Sequence, residues 1–233
     1  MLEPLFPLLG DAGIAVTLSQ REMLTAYAEM LYDWNARVNL TNVPKDEAWR
    51  IHFADALLPL AVGELFPQGA SLIDVGTGAG FPGLPIAILR QDLSIVLLDA
   101  LNKRCKFLHA VIGMLELANV RVVHARAEDG ARGELRGAFD IACGRAVAHL
   151  RVLAEYLLPY VKVGGHALCW KGPAAQDEAD TAQHAIHLLG GRLQSVLPIP
   201  VPDTGHQLVV IKKDWPTPDQ YPRAAGTPAK KPL

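Results

Sequence analysis

Apolar residues recur at helical spacing through the first quarter of the chain and give way to short, strand-length apolar runs from residue 71 onward. Met23, Tyr27, Met30 and Trp34, with Leu24 and Leu31 beside them, line one face of a helix. Ser19 and Glu22 form the S-x-x-E pattern of a capping box in front of it. A second helical stretch over 46–65 carries Trp49, Phe53, Leu57 and Leu60. Both stripes read as core, and together they predict an N-terminal helical cap over residues 1–66. Strands are predicted at 72–75, 95–99, 120–124, 139–143 and 166–171, separated by helices at 84–90, 103–117, 146–161 and 176–189. Strands alternating with helices need crossover connections, which are right-handed and build a parallel sheet. Two further runs, 193–199 and 207–212, are joined only by a loop and predict an antiparallel hairpin at one edge. The expected fold is α/β: a Rossmann-like, mostly parallel seven-stranded sheet over 67–214, with an antiparallel edge hairpin and the helical cap. Residues 215–233 are proline-rich and basic without periodicity, which predicts an extended or disordered tail.

The first predicted strand runs straight into Asp74-Val75-Gly76-Thr77-Gly78-Ala79-Gly80-Phe81-Pro82-Gly83. Glycines let a backbone turn sharply and bring its N–H groups against a ligand, and the helix start behind them carries unpaired N–H groups. The next strand closes on Asp99, where an acid accepts hydrogen bonds from ribose hydroxyls. The pattern is that of a nucleoside-cofactor site. Read from Gly78, the residues also satisfy the dinucleotide fingerprint G-x-G-x-x-G, and glycine-rich turns occur without any ligand. Two details favour S-adenosylmethionine: Asp74 lies inside the strand just before the first glycine, and the glycines begin ahead of the dinucleotide register.

Composition narrows the class. Half of the 233 residues are hydrophobic and 20 % are charged, which suits a globular protein with a substantial core. No apolar run reaches the length of a membrane span, and the N-terminus lacks the basic-then-apolar order of a signal peptide. Cys105, Cys143 and Cys169 are odd in number and lack metal-ligand spacing, so reduced thiols in a cytoplasmic protein are expected. The net charge of −2 carries no signature of nucleic-acid binding. The basic residues nevertheless cluster at Lys103, Arg104 and Lys106, at Arg121 and Arg126, and in the tail at Arg223, Lys230 and Lys231.

At this point the chain resembles the bacterial small-subunit ribosomal RNA methyltransferase G family, also called glucose-inhibited division protein B. The resemblance runs over nearly the whole length. It includes Trp34-Asn35, Asn39-Leu40-Thr41, Arg50, His52 and Asp55 in the cap, the glycine segment through Phe81-Pro82-Gly83, and Leu98-Asp99 with Lys103-Arg104. It continues through Ala127-Glu128, Arg145-Ala146, Lys171-Gly172 and the tail around Tyr221-Pro222-Arg223 and Gly226-Thr227-Pro228. The resemblance implies a class I methyltransferase fold and S-adenosylmethionine-dependent methylation of N7 of one guanine in 16S rRNA, guanine 527. The implied partner is 16S rRNA, within a 30S subunit or an assembly intermediate, with no membrane and no obligate protein partner. One position departs: the family usually has serine where Gly144 stands.

The residues carry these expectations individually. Gly76, Gly78 and Gly80 bring backbone against the methionine and sugar portions of the cofactor, Phe81 borders the pocket, and Asp99 takes the ribose hydroxyls. Glu128 accepts from the adenine amino group, and backbone N–H groups near Ala127 and Glu128 read the ring. Arg145, after the fourth strand, engages the cofactor carboxylate or an RNA phosphate, or forms a structural salt bridge. Lys103, Arg126 and Lys171, with Arg145, lie near strand ends and form a basic patch for RNA in the resemblance. His52 is expected to pair with Asp55, the remaining histidines to lie on the surface, and no metal site is expected. Because N7 of guanine has a free lone pair and no proton, no side-chain base or nucleophile is needed. Cys143 then reads as a small core residue, and Arg145 is left with an electrostatic or positioning role.

Overall fold

The computed structural model describes residues 1–233, and its centre is a seven-stranded sheet ordered β3-β2-β1-β4-β5-β7-β6. The strands are β1 (Ser71–Val75), β2 (Ser94–Asp99), β3 (Val120–His124), β4 (Phe139–Arg145), β5 (Val161–Lys171), β6 (Gly191–Pro198) and β7 (Gln207–Lys213). The first five run parallel, β7 pairs antiparallel to β5, and β6 pairs antiparallel to β7. In β1, Leu72, Ile73, Asp74 and Val75 are all buried, the continuous burial of a parallel strand covered on both faces. Side chains still alternate between two cores. Leu72, Leu97, Ile141, Cys143 and Trp170 face the cap and helices α4 (Gly83–Leu89) and α5 (Asn102–Met114). Ile73, Val75, Leu98, Ala142 and Cys169 face α7 (Leu150–Leu157) and α8 (Ala175–Leu188). Leu24, Tyr27, Leu31 and Phe53 of the cap share one hydrophobic cluster with the sheet, so the cap packs as part of the same core.

Three local expectations are corrected. The capping box before α2 (Leu18–Val38) is Thr17–Gln20: Gln20 N donates to Thr17 Oγ1 at 3.3 Å and Thr17 N to Gln20 Oε1 at 3.0 Å. Gln20 Nε2 reaches on to Ile88 O and Leu89 O, both 3.2 Å away, and so ties the cap to the end of α4. A short α1 (Leu5–Asp11) precedes it, buried through Leu5 and Leu9. The stretch over 46–65 is broken into a π-helical turn (Trp49–Ala54), α3 (Asp55–Leu57) and 3₁₀ turns at Leu58–Ala61 and Gly63–Leu65. Pro59, which lacks an N–H, and Gly63 prevent a continuous helix there. The helix expected over 146–161 begins at Leu150, because Ala146 adopts a left-handed conformation (φ +53°) that no helix accommodates. A short α6 (Ala127–Gly130) follows β3.

The tail is the largest correction. Of the two alternatives, disorder is the one overturned: the tail is irregular in backbone but docked, with Thr217, Tyr221 and Pro228 buried and a short α9 (Thr227–Lys230) near its end. Its order comes from cations that satisfy its backbone carbonyls in place of secondary structure. Arg136 donates to Thr217 O and Tyr221 O at 2.8 Å each, and Arg132 donates to Pro222 O at 2.9 Å. Arg223 forms a forked pair with Glu155, whose side chain is fully buried. Buried Lys213 donates to Leu158 O, Leu189 O and Thr217 Oγ1, and burial, helped by Arg136, lowers its pKa to about 7.

Candidate active site

The glycine loop sits at the carboxyl end of β1. Gly76 N and Thr77 N both donate to Leu98 O of β2 (2.8 and 3.1 Å), which turns the chain across the neighbouring strand. Gly80 (φ +103°) cannot carry a side chain: a Cβ there would stand 2.4 Å from Leu84 Cδ1 and 2.9 Å from Tyr27 Oη. Gly78 (φ +62°) is different: a Cβ there would meet only Gly76 O, in ordinary contact at 3.9 Å, so its position is uncrowded. Asp74, fully buried, holds the loop from below through Oδ2, which accepts from Thr77 Oγ1 (2.7 Å) and Gly83 N (2.8 Å). Burial raises its pKa to about 6 against the lowering effect of those two hydrogen bonds, and its Oδ1 has no partner. Asp74 therefore does more than mark the motif.

Asp99 ends β2 with its carboxylate facing this loop. It accepts from Gly78 N (2.9 Å) and Leu101 N (2.8 Å), with Arg104 Nη1 at 3.4 Å. A carboxylate offers about four lone-pair sites, so with these three donors in place about one remains for a ligand hydroxyl. Lys103 and Arg126 are exposed at the ends of β2 and β3; Lys103 donates only to Val38 O (3.1 Å). Ala127 opens α6 and its carbonyl accepts from Tyr160 Oη (2.6 Å). Glu128 is buried, at 5 % exposure, and its Oε1 accepts from Gly226 N of the tail at 2.7 Å.

A cavity of about 310 Å³ opens at the ends of β4 and β5, beneath the cap. Val43, Ile51 and Trp170 supply its apolar wall, and His52, Asp55, Arg145, Lys171, Glu178 and His206 its polar one. Arg145 is committed here: it pairs with Asp55 Oδ2 (2.9 Å) and donates to Ile51 O (3.0 Å) and His52 Nδ1 (3.1 Å). Of the roles weighed for Arg145, the structure displays the salt bridge. Because arginine is only a donor, His52 Nδ1 accepts, and the proton on Nε2 goes to Thr41 Oγ1 (2.7 Å). Burial and the adjacent Arg145 push the His52 pKa down to about 3, so the ring is neutral. Asp55 thus pairs with Arg145 and, through Oδ1, with His206 Nδ1 at 2.8 Å, and not with His52 as expected. Lys171, 10 % exposed, is bound to Glu178 Oε2 (2.6 Å) and Ala148 O (2.9 Å).

The structure gathers Gly76, Gly78, Gly80 and Asp99 around the loop, and places Arg145 and Lys171 in the cavity. Phe81 lies between these two groups, buried rather than lining the cavity. Its ring stacks 4.6 Å from His52 and 5.3 Å from Tyr27, with the Arg145 guanidinium 5.0 Å from its centre. A Cβ on Gly76 would meet Val147 Cγ2 at 3.0 Å, so the loop also packs against the segment that follows β4, next to the cavity-lining Ala146. At Gly144 an added Cβ would face Leu153 (3.1 Å) and Val75 O (3.4 Å), so a serine there would point toward α7. His206 is the residue that sequence reasoning missed. Its only signal was a position at the end of the hairpin loop, directly before β7.

Comparison with known proteins places this geometry. A family model described as rRNA small subunit methyltransferase G matches residues 20–202. A "Ribosomal RNA small subunit methyltransferase G" of Clostridium botulinum (strain Eklund 17B / Type B) is 46 % identical over 227 residues, covering 96 % of this chain and 95 % of that protein. One of Lactobacillus johnsonii is 46 % identical over 230 residues, covering 97 % and 96 %. Among solved structures, a SAM-dependent methyltransferase from Aquifex aeolicus aligns with a TM-score of 0.57 at 15 % identity, covering 76 % of this chain and 96 % of that one. M. jannaschii TYW2, solved in complex with AdoMet, aligns at 0.53 with 15 % identity, covering 67 % and 74 %. At such identities these two structures speak to the fold alone.

Proposed function

The chain belongs to the rRNA small subunit methyltransferase G family, and on that premise we propose that it transfers a methyl group from S-adenosylmethionine to N7 of a single guanine in 16S rRNA. The observation that carries the reading is the junction of two sites at adjacent strand ends. A glycine loop uncrowded at Gly78, with an acid at Asp99, lies at β1 and β2, and an apolar-walled cavity opens at β4 and β5. The loop suits the cofactor because Gly78 is uncrowded and Asp99 retains acceptor capacity for a hydroxyl. Gly76, Gly78, Gly80, Asp99 and Glu128 would hold it, and when bound it supplies a methyl group activated on a sulfonium.

N7 carries a lone pair and no proton, so the protein's task is alignment and charge compensation. Ile51, Val43 and Trp170 offer the cavity apolar faces against which an unstacked base can lie. Trp170 is fixed there by its Nε1, which donates to Asp55 O at 2.8 Å. Arg145 positions the cap turn carrying His52 and Asp55 against Phe81 of the glycine segment, so the two halves of the site are held in register. Lys103 and Arg126 remain available for RNA phosphates. The same reading puts the enzyme in the cytoplasm, acting on rRNA in a 30S subunit or assembly intermediate. No helix is long and apolar enough to cross a membrane.

The test is incubation with labelled S-adenosylmethionine and either free rRNA, 30S particles or a metabolite extract, followed by nucleoside analysis. The expected product is 7-methylguanosine at one rRNA position. Label confined to metabolites, or tight NAD binding by the protein, overturns the assignment.

A further inference from the structure

The tail does not simply cover the back of the sheet; it grips the segment that follows β3. Gly226 N donates to Glu128 Oε1 at 2.7 Å, Arg132 donates to Pro222 O at 2.9 Å, and Arg136 reaches Thr217 O, Pro218 O and Tyr221 O at 2.8–3.2 Å. The tail is in turn anchored on α7, where Arg223 meets Glu155 through its backbone N (2.8 Å), Nε (3.0 Å) and Nη2 (2.6 Å). Only one of the two carboxylate oxygens of Glu128 is taken up: Oε1 holds Gly226, and Oε2 makes no hydrogen bond within the protein while not being an enclosed orphan.

We propose that the C-terminal tail is a positioning strap for Glu128, fixing one carboxylate oxygen so that the other is presented to the adenine amino group of the cofactor. The proposal rests on the reading that this protein binds S-adenosylmethionine with Glu128 on its adenine side. A glutamate on a one-turn helix has three side-chain torsions to order when a ligand arrives, and ordering them in advance removes that cost from binding. A backbone N–H suits this purpose: it only donates, so it holds Oε1 and leaves Oε2 an acceptor. Gly226 is the positioning residue, while Arg223 with Glu155 and Arg136 with the tail carbonyls hold it in place.

The strap predicts a purine-specific effect, because only a 6-amino group can donate to Oε2. Calorimetry would compare S-adenosylhomocysteine with S-inosylhomocysteine, in which a carbonyl replaces that amino group. The full chain is expected to prefer the adenosyl compound by about tenfold or more, the scale of one hydrogen bond to a charged group. A chain ending at Gln220 is expected to lose most of this preference while retaining affinity for the inosyl compound. In a Glu128→Gln background the same truncation should change the ratio no further. Should the truncated chain not fold, Arg223→Lys loosens the fork while keeping its charge and should lower the ratio in the same direction. In the full chain, hydrogen exchange at the Gly226 amide should slow when S-adenosylhomocysteine binds, by the reciprocity of coupled equilibria. An unchanged ratio in a folded truncated or Arg223→Lys chain, with Gly226 exchange indifferent to ligand, overturns the strap. Failure of the full chain to bind either compound overturns the cofactor reading as well, and is told apart from the first result by that absence of binding.

Discussion

At the ends of β4 and β5, Arg145 and Lys171 are 15 % and 10 % exposed, and each holds a carboxylate, Asp55 at 2.9 Å and Glu178 at 2.6 Å. At the ends of β2 and β3, Lys103 and Arg126 stand exposed without a carboxylate in ion-pair range. In sequence these four cations look alike, each at or near the carboxyl end of a strand on the same edge. The structure divides them into two that build the site's architecture and two that remain free for an anion. A half-buried cation must be matched to offset its desolvation, whereas a solvated one keeps its charge available for phosphates and counterion release. Exposure and pairing, and not the count of positive residues, decide which of them can grip RNA.

Breaking the paired half should have the largest effect. Arg145→Ala leaves Asp55, 2 % exposed, with only His206 as a side-chain hydrogen-bond partner and strips donors from Ile51 O and the His52 ring. Removing one member of such a pair costs about 3–5 kcal/mol, measurable by urea unfolding. Arg145→Lys should recover only part of this, because an ammonium cannot span the same acceptors. A loss near zero would place Arg145 with the solvated cations and erase the division.

Next comes the loop at β1 and β2. Asp99→Ala should weaken S-adenosylhomocysteine binding by about 1.5–3 kcal/mol, the range for a hydrogen bond to a charged group. Since Asp99 also holds Gly78 N and Leu101 N, Asp99→Asn is the cleaner variant, retaining one acceptor oxygen with a smaller loss. Unaltered affinity in both variants removes Asp99 from the site.

Acid should act on the paired half through His52. Its folded pKa of about 3 lies below the ordinary 6.5, so between these values the unfolded chain binds the proton more readily and stability falls as pH is lowered. The slope should approach about 1.4 kcal/mol per pH unit. Asp74 works in the opposite sense. Its folded pKa of about 6 lies above the ordinary 3.8, so its contribution declines as pH rises through that window. Unfolding measured from pH 4 to 7 should show a steeper acid limb in the parent than in His52→Gln, and the difference isolates the histidine. Identical limbs would mean that His52 is free to protonate.

Cys143 stands on the seam between the halves, paired in register with Asp74 across β1 and β4. Burial pushes its thiol well above the ordinary range, with Asp74 adding to the effect, so it is no thiolate nucleophile. Cys143→Ala should cost about 1–2 kcal/mol of stability from lost packing and leave methyl transfer largely intact. A covalent protein–RNA adduct, or activity lost from a normally folded variant, would show the reaction class to be different.

Much of this was legible in advance where a pattern is local. Six of the seven strands were readable to within two residues, because strand-length apolar runs and intervening helical stripes report burial directly. β5 begins five residues earlier than predicted, at Val161, where Lys162, Gly164 and Gly165 interrupt the apolar run. The glycine loop and Asp99 were readable because backbone conformation demands those residue types at that spacing. What escaped depends on partners distant in sequence. The Arg145–Asp55 pair spans 90 residues and the His206–Asp55 pair 151, and no periodicity records either. The tail misled for the same reason. A proline-rich segment without periodicity reads as disorder, yet its carbonyls are satisfied by Arg132 and Arg136, and nothing in the tail's own composition announces them.

The smallest effect on stability, and the sharpest test of the comparison, belongs to the unpaired half. Lys103 gives up one hydrogen bond, to Val38 O, when replaced by alanine, and Arg126 makes no side-chain hydrogen bond. Each substitution should leave unfolding within about 0.5 kcal/mol of the parent, as for solvated surface positions. If these two cations meet RNA phosphates, each substitution should also lower the slope of log affinity against log salt by about one, since one fewer counterion is displaced. Lys171→Met should show the reverse: its ammonium already neutralises Glu178, so the salt slope should hold while stability falls. A salt titration of rRNA binding for the three variants, run beside urea unfolding, separates the two behaviours. Equal slopes in all three would mean that RNA reads the edge by some other route, and that exposure alone does not distinguish a phosphate contact from ordinary surface charge.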